Sequence, residues 1–340
     1  ACATPGIDYQ AKIMASSVEA AETRNVAVER FSGPAGGWYA ARFEAMLANT
    51  TFDGAPWFSL AAYGQGIDAP AGTYTGDVEI LSYDWFERDN IVKKCVEWDG
   101  LFDCETRAEV LEVCLEEEVR VRVTPRLFDA DTGQLVFSGT YEGDAGQESC
   151  RDVGILIDGK LAKGKRGKGK RGQRGPRHGG GLFGFAGAVP PAGLVREALS
   201  ETLRPIRNDI APRNAKVRAN FITKPLDPMA AADPRFEQAV KAARRDPFLS
   251  CSLWTTLAAN YPDAPAVLHN QGACAEAQSD FSTAQGLYAK ASELAVRFSS
   301  DGTAPKVFLK SLRSLNTQRV GLEIIEEITN PQPLLGSPNS

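Results

Sequence analysis

The sequence predicts an α/β domain with long antiparallel β-hairpins, followed by an all-α domain built from helical repeats. Three observations support this fold class. The first half mixes strand-like and helical segments, its centre contains runs in which apolar and charged residues alternate, and the last third is helical throughout. The 340 residues suffice for two domains, and no apolar stretch reaches the length of a membrane-spanning helix.

The first domain is expected to begin with a β–turn–α–β unit. Asn25–Phe31 is an apolar strand, Ser32–Gly37 a glycine-rich turn, Trp38–Asn49 a helix and Trp57–Gly64 a second strand. Apolar residues of the helix share one face, namely Tyr39, Phe43, Met46 and Leu47. We expect this face to pack on the sheet.

Longer strands are predicted next. Thr73–Tyr83 is strand-like, and Glu116–Asp129 alternates valine with charged residues, which is typical of a strand with one solvated face. A turn at Asp129–Gly133 leads into a returning strand over Gln134–Gly143, and a charged hairpin is centred on Asp99-Gly100.

A helix over Gly193–Ile206 follows these strands. Its apolar residues lie on one side (Val195, Leu199, Leu203 and Ile206), and Pro205 is expected to kink or end it. The residues up to about Phe221 are compatible with one further strand.

From Asp233 to about Ile328 the pattern is helical. The segment Leu268–Leu294 has small residues where two helices would approach closely (Gly272, Ala284 and Ala291) and large residues that fill between them (Leu268, Phe281 and Tyr288). This pattern resembles a tetratricopeptide repeat, and Asp233–Ala264 is interpreted as a degenerate repeat before it. Since such repeats bind partners through a concave face, the candidate groove residues are His269, Asn270 and Tyr288, and a position in the helical core is the alternative for His269.

Six of the seven cysteines form pairs that are symmetric about predicted turns. These pairs are Cys95 with Cys104, Cys114 with Cys150, and Cys251 with Cys274. Residues equidistant from a hairpin turn face each other within disulfide reach, so we predict three disulfides with these pairings. The alternative is buried free thiols in a cytosolic protein.

The seventh cysteine, Cys2, lies between a single alanine and Ala-Thr-Pro. This start resembles that of a mature bacterial lipoprotein, in which the cysteine after the signal peptide is acylated. The resemblance implies a lipid anchor on Cys2. With the disulfides, it implies the periplasmic side of the bacterial outer membrane, with surface exposure left open. The alternative is that the start of the sequence is artefactual and that Cys2 is an unmodified thiol without a function.

A basic, glycine-rich insert occupies residues 160–181. Nine of the eighteen residues from Lys160 to Arg177 are lysine or arginine, although the chain has a net charge of −5. The insert is interpreted as a solvated loop, or as a contact for lipopolysaccharide or another anionic envelope polymer. The acidic remainder argues against nucleic acid. The candidate polyanion-binding residues are Lys163, Lys165, Arg166, Lys168, Lys170, Arg171, Arg174 and Arg177.

Four segments of the N-terminal half follow the order of a known family. They are VAVERFSGPAGGWYAARFEAML, YTGDVEILSY, VRVTPRLFDADTGQLVFSGTYEG and LVREALSETLRPIRNDI. They resemble the CsgG-like lipoproteins, the curli secretion-channel family, over about residues 25–220. In that family two segments form membrane hairpins of a ring-shaped barrel, and here they fall at about 84–116 and 138–189. Both carry charge unsuited to lipid-facing strands, so the resemblance implies the fold and the anchor but not the pore.

These features predict four regions: a lipid-anchor tether over 1–24, a CsgG-like α/β domain over 25–222, a tetratricopeptide-like helical domain over 223–328 and a disordered tail over 329–340. No cofactor, metal or catalytic site is expected, because neither the glycine turn nor the two histidines fit a known site pattern.

The expected function is that of a non-catalytic scaffold or assembly factor for an envelope or secretion complex, with other envelope proteins bound by the helical domain. The alternatives are a ring-forming outer-membrane export component and an enzyme that acts on envelope polysaccharide.

Overall fold

The chain was analysed as a computed structural model that describes residues 5–61, 69–99, 103–157, 160–161, 189–298 and 305–330. The protein is mixed α/β, with a sheet-rich N-terminal region and C-terminal helices. It divides into two compact units. The sheet unit comprises residues 23–50 and 58–207, and the helical unit comprises residues 1–22, 51–57 and 208–340.

The sheet unit is built on one mixed sheet. Its elements are β2 (Asn25–Ser32), α2 (Gly36–Ala48), β5 (Ser59–Leu60), β6 (Gly72–Asp99), β7 (Asp103–Asp129), β8 (Leu135–Ser138), β9 (Tyr141–Ile157), β10 (Lys160–Leu161) and α3 (Ala192–Ile210), whose last residues belong to the other unit. The strand order is β10-β9-β7-β6-β2-β5, and β8 also pairs with β7. The strand β2 runs parallel to β5 and β6, whereas the other pairs are antiparallel.

The core of the sheet unit lies against the part of β7 in which valines and charged residues alternate. Val119, Val121 and Val123 are fully buried, while the charged residues between them point to the opposite face. Three residues of the face predicted for α2 (Tyr39, Phe43 and Leu47) are fully buried as well. The hydroxyl groups of Tyr39 and Thr202 are 2.7 Å apart and join α2 to α3.

The strands β6, β7 and β9 form what we call the hairpin sheet. β6 has 28 residues and β7 has 27, whereas most strands have about 3–10 residues. β6 and β7 pair along their whole length, from Gly72 opposite Asp129 to Asp99 opposite Asp103, with a bulge between Ile80 and Ser82. The predicted central hairpin is therefore a continuation of the core strands.

The helical unit combines a two-stranded ribbon with helices. Its elements are β1 (Gly6–Ile13), α1 (Val18–Glu22), β3 (Thr51–Phe52), β4 (Ala55–Pro56), β11 (Arg213–Asn220), α4 (Pro228–Ala232), α5 (Pro234–Ala242), α6 (Pro247–Asn260), α7 (Pro265–Ala277), α8 (Phe281–Ala295), a 3-10 turn (Val296–Phe298) and α9 (Lys306–Thr329). The ribbon pairs β1 with β11 antiparallel over eight residue pairs. The sequence analysis had placed these residues in a tether and in the N-terminal domain.

Local sequence explains where these helices begin. Aspartate side chains cap the backbone amides of α4, α5, α6 and α8 (Asp227, Asp233, Asp246 and Asp280). Proline occupies the first turn of α4, α5, α6 and α7, where its missing amide proton costs no hydrogen bond. Gly272 lies where α7 and α8 approach closely, since a Cβ there would be 3.0 Å from the Tyr288 ring.

Two sequence expectations differ from the structure in detail. Of the strand predicted over Trp57–Gly64, the described part contains only Ser59–Leu60, and residues 62–64 lie outside the description. The helix α3 continues through Pro205 to Ile210 instead of ending there. Among the described residues, none of the helices combines the length and the apolar composition that a membrane span requires.

Candidate interaction surfaces

Three disulfides join the cysteines in the pairs predicted from the sequence. Cys95–Cys104 connects β6 to β7 near the hairpin end, and Cys114–Cys150 connects β7 to β9 at directly opposite positions, with 4.0 Å between the Cα atoms. Cys251–Cys274 connects α6 to α7. The structure thus ties together the three strands of the hairpin sheet and, separately, two packed helices.

One side of the hairpin sheet, which we call the charged face, carries Glu112, Glu116, Glu118, Arg120 and Arg122 from β7 together with their neighbours on β6 and β9. It lies opposite the buried valines, because side chains alternate along a strand. At three places on this face, one cation bridges carboxylates on two strands.

Arg88 shows this arrangement most clearly. Its guanidinium lies 2.8 Å from a Glu116 carboxylate oxygen and 2.6 Å from a Glu148 oxygen. The Glu148 hydrogen bond and the nearby Glu116 charge raise the pKa of Arg88 above its ordinary value. Exposed ion pairs of this kind contribute little to stability individually, but they fix the side chains in register across three strands.

Lys94 and Arg122 repeat the arrangement. Lys94 contacts Asp152 at 2.7 Å and also contacts Glu112. The hydrogen bond to Asp152 has the largest effect and the one to Glu112 the next largest, and both raise the pKa of Lys94. Arg122 lies 2.7 Å from Glu142 and 3.8 Å from Glu79. Three cations of the charged face thus each bridge carboxylates of two strands, whereas Arg120 on the same face has no ion pair among the described residues.

The middle of this face lacks this arrangement. Asp84 and Glu118 are directly opposite each other, and the next residue in the same row is Gly146. An open hollow of about 570 Å³ lies here, lined by Phe86, Arg88, Glu116, Glu118, Asp144 and Glu148 among others. In the part of the chain that the structure describes, neither Asp84 nor Glu118 has an ion-pair partner.

The other side of the hairpin sheet contains a buried carboxylate. Glu117 is 6% exposed and accepts hydrogen bonds from the Tyr83 hydroxyl and, at 2.6 Å, from the Gln147 amide. Burial, and then the bond to Glu117, raise the pKa of Tyr83 to about 12. These two hydrogen-bond donors thus compensate for the burial of the Glu117 carboxyl group.

The residues predicted to line a partner groove lie inside the helical unit. His269 is 1% exposed, and Asn270 and Tyr288 are fully buried. Asn270 accepts a hydrogen bond from the Ile222 amide at 2.7 Å and donates one to the Ile222 carbonyl at 2.9 Å, so it acts as a pairing partner for the chain after β11. The groove assignment of these three residues was wrong, because β1, β11 and α9 pack against the face of α7 that would form the groove.

A buried carboxylate holds this packing together, and the sequence analysis missed it. Glu276, 7% exposed, accepts hydrogen bonds from Tyr9 of β1 at 2.7 Å and from Tyr288 of α8 at 2.6 Å. Burial and the Glu276 charge raise the pKa values of both tyrosines well above the ordinary value. No local pattern reveals this contact, since Tyr9 and Glu276 are 267 residues apart.

The remaining sequence-predicted sites lie outside the described residues. These sites are Cys2 and the eight candidate polyanion-binding residues between Lys163 and Arg177. Glu112, Cys114 and Cys150 form a group close enough to hold a metal ion, but the two sulfur atoms are joined in a disulfide and are not available as thiolate ligands.

Comparison with known proteins does not assign the chain to a family. No protein-family model matches the sequence, and no curated protein matches it either.

Proposed function

We propose that this protein is a non-catalytic scaffold or assembly factor of a bacterial envelope complex, anchored by a lipid on Cys2 at the periplasmic side of the outer membrane. In this proposal residues 25–222 carry a CsgG-like fold and residues 223–328 a tetratricopeptide-like fold. The observation that carries the proposal is the hairpin sheet, which offers a long, disulfide-tied charged face suited to docking. Three disulfides also support an oxidising compartment such as the periplasm.

The docking role moves from the helical groove to the hairpin sheet. The helical unit fills the face of α7 with its own ribbon, whereas Phe86 on the charged face is 56% exposed. On the helical unit, Phe248 is 85% exposed at the start of α6 and supplies an outer contact for envelope proteins. The basic run Lys160–Arg177 contacts an anionic envelope polymer in this proposal.

Site-specific photo-crosslinking tests the docking role. A photoreactive amino acid replaces Phe86 in the full chain, expressed in its own membranes, and a matched variant carries it at Leu135, which is 54% exposed on β8. We expect one reproducible envelope protein to be captured from position 86 and not from position 135. Equal capture at both positions, or none, would contradict docking on the charged face.

A ring-forming export component is the second candidate function, and the strand edges favour it. β6 pairs with β2 only as far as Asp77, and β9 pairs with β10 only at Leu156 and Ile157. Among the described strands nothing pairs with the remaining outer edges of β6 and β9, which lie on opposite sides of the hairpin sheet. Such edges allow identical copies to join head to tail.

Native mass spectrometry of protein extracted from its own membranes separates the two functions. A lipid-modified oligomer of defined, high subunit number favours the export ring. A lipid-modified monomer or dimer favours the scaffold. An unmodified chain would contradict the anchor on Cys2 and with it the envelope location.

A further inference from the structure

The outer edge of β6 is open along much of the hairpin sheet. Among the described strands, β2 pairs with this edge only as far as Asp77, whereas β7 follows the other edge of β6 as far as Asp99. An open edge presents unpaired N–H and C=O groups that can pair with another chain. From Ser82 to Cys95 the pairing of β6 with β7 contains no irregularity. This stretch can therefore accept a further antiparallel strand.

Three residues of this edge lie on the side of the sheet opposite the charged face. Ile91 is 59% exposed, and the exposed residues Asp89 and Lys93 precede and follow it on the same side. Lys93 lies directly opposite Glu109 of β7, but the two side chains form no ion pair. In the part of the chain that the structure describes, neither Asp89 nor Lys93 has an ion-pair partner. The edge thus presents an apolar residue between an unpaired anion and an unpaired cation.

This order of charges is complementary to itself. If a two-fold axis at Ile91 relates two antiparallel copies of β6, Ile91 meets its own copy and Asp89 meets Lys93 in both directions. Opposite charges directly across a sheet stabilise the pairing, and like charges destabilise it. An axis at Asn90 would set Ile91 against Asp89. An axis at Val92 would set it against Lys93, and an axis at either charge would set that charge against its own copy.

The charged face is compatible with the same register. There, Arg88 of one copy lies opposite Lys94 of the other. Each of these cations already contacts two carboxylates of its own copy, which compensate for the repulsion between them. The axis at Ile91 is therefore favoured by one side of the sheet and tolerated by the other.

We propose that the protein forms a symmetric dimer in which the β6 strands of two copies pair antiparallel about Ile91. The joined sheet has the strand order β9-β7-β6-β6-β7-β9, with three strands from each copy. Because the two-fold axis is perpendicular to the sheet, both charged faces lie on the same side. The dimer goes beyond the proposed scaffold function and doubles its docking surface. It also differs from the export ring, in which the β6 edge would meet the β9 edge of the next copy.

Charge reversal tests the dimer by sedimentation velocity of the full-length protein at low salt, with free thiols alkylated. Asp89→Lys and Lys93→Asp should each weaken dimerisation at least about ten-fold, because each sets like charges opposite each other twice. An equimolar mixture of the two variants should dimerise like the wild type, since the opposite charges then meet between the two different chains. A variant that merely misfolds cannot produce this rescue.

The matched control is Glu197→Lys, an exposed position on α3 that changes the net charge by the same amount as Asp89→Lys. It should keep the dimer affinity within about two-fold, the range of a diffuse charge effect. A monomeric wild type, an equal loss in the control or a mixture that stays monomeric would each overturn the proposal.

Photo-crosslinking separates the dimer from the other proposals. A photoreactive amino acid at position 91 should join two copies through the region around Ile91 itself. A crosslink from position 91 to β9 of another copy would overturn the symmetric pairing in favour of the ring. If position 86 captures an envelope protein and position 91 captures no second copy, the scaffold function stands and the dimer fails. If position 91 captures a second copy and position 86 captures no other protein, the dimer stands and the docking role fails.

Discussion

Acidification should destabilise the helical unit through His269. The imidazole is 1% exposed, its ring centre lies 4.8 Å from that of Tyr288 and 5.4 Å from that of Phe308, and its Nε2 is 3.0 Å from the Ser311 hydroxyl. Burial, opposed by the hydrogen bond to Asn270, lowers the pKa of His269 from 6.5 to about 4. The folded protein therefore holds this histidine neutral over a range in which the unfolded chain protonates it.

The sign and size of the effect follow from proton linkage. The unfolded chain binds more protons between pH 6.5 and about 4, so the stability is fully present above pH 6.5 and is lost as the pH falls toward 4. The difference between pKa 6.5 and about 4 corresponds to about 3 kcal/mol of unfolding free energy. This loss is a substantial fraction of the about 5–15 kcal/mol by which a folded domain is typically stable.

Urea unfolding of the wild type and of His269→Gln, followed by circular dichroism at 222 nm from pH 7.5 to pH 4.5, measures the effect. Carboxylates with lowered pKa values, such as Asp233, whose pKa Arg235 lowers to about 2, stay ionised in the folded state throughout this range. Their contribution therefore changes little above pH 5, and the difference between the two proteins isolates His269. We expect the wild type to lose stability steeply below pH 6.5 and the variant to be nearly flat. Parallel curves would refute the assignment.

Three further predictions concern stability. Gly146→Ala should stabilise the sheet unit by about 0.5–1 kcal/mol, and Gly146→Lys by about 0.5 kcal/mol more through Glu118, an increment that thermal unfolding should show at low salt but not at 1 M salt. Cys114→Ala with Cys150→Ala opens a loop of 36 residues and should cost about 4 kcal/mol in urea unfolding; an unchanged midpoint would contradict the bond. Glu276→Gln should destabilise the helical unit by about 1–3 kcal/mol, and no change would exclude the carboxylate as its anchor.

The sequence predicts those parts of the fold that local periodicity determines. The alternation of β7 shows which of its residues are buried, and the symmetric spacing of cysteines about turns shows the three disulfide pairings. Both depend on contacts between neighbouring segments, where the side-chain period of a strand or the geometry of a turn brings the partners together.

The groove residues were assigned wrongly because their surroundings come from distant segments. The pattern around α7 correctly indicates a tightly packed helix pair, but it does not show that β1 contributes Tyr9 or that α9 contributes Ser311. The row of Asp84, Glu118 and Gly146 on the charged face could not be predicted from the sequence either. Asp84, Glu118 and Gly146 share a row only in one register of three strands, and a shift by one residue moves each side chain to the other face.

The polar side chains of the two units differ in whether contacts within the same unit satisfy them. In the helical unit, Glu276, Asn270 and His269 form hydrogen bonds with other parts of the same unit. These side chains therefore have their polar atoms occupied by contacts within the unit. On the charged face, Asp84 and Glu118 meet no cation among the described residues. A buried polar group must be satisfied within the fold, whereas exposed and unpaired carboxylates leave a free-energy gain for a partner to realise. This contrast supports the proposed docking on the hairpin sheet.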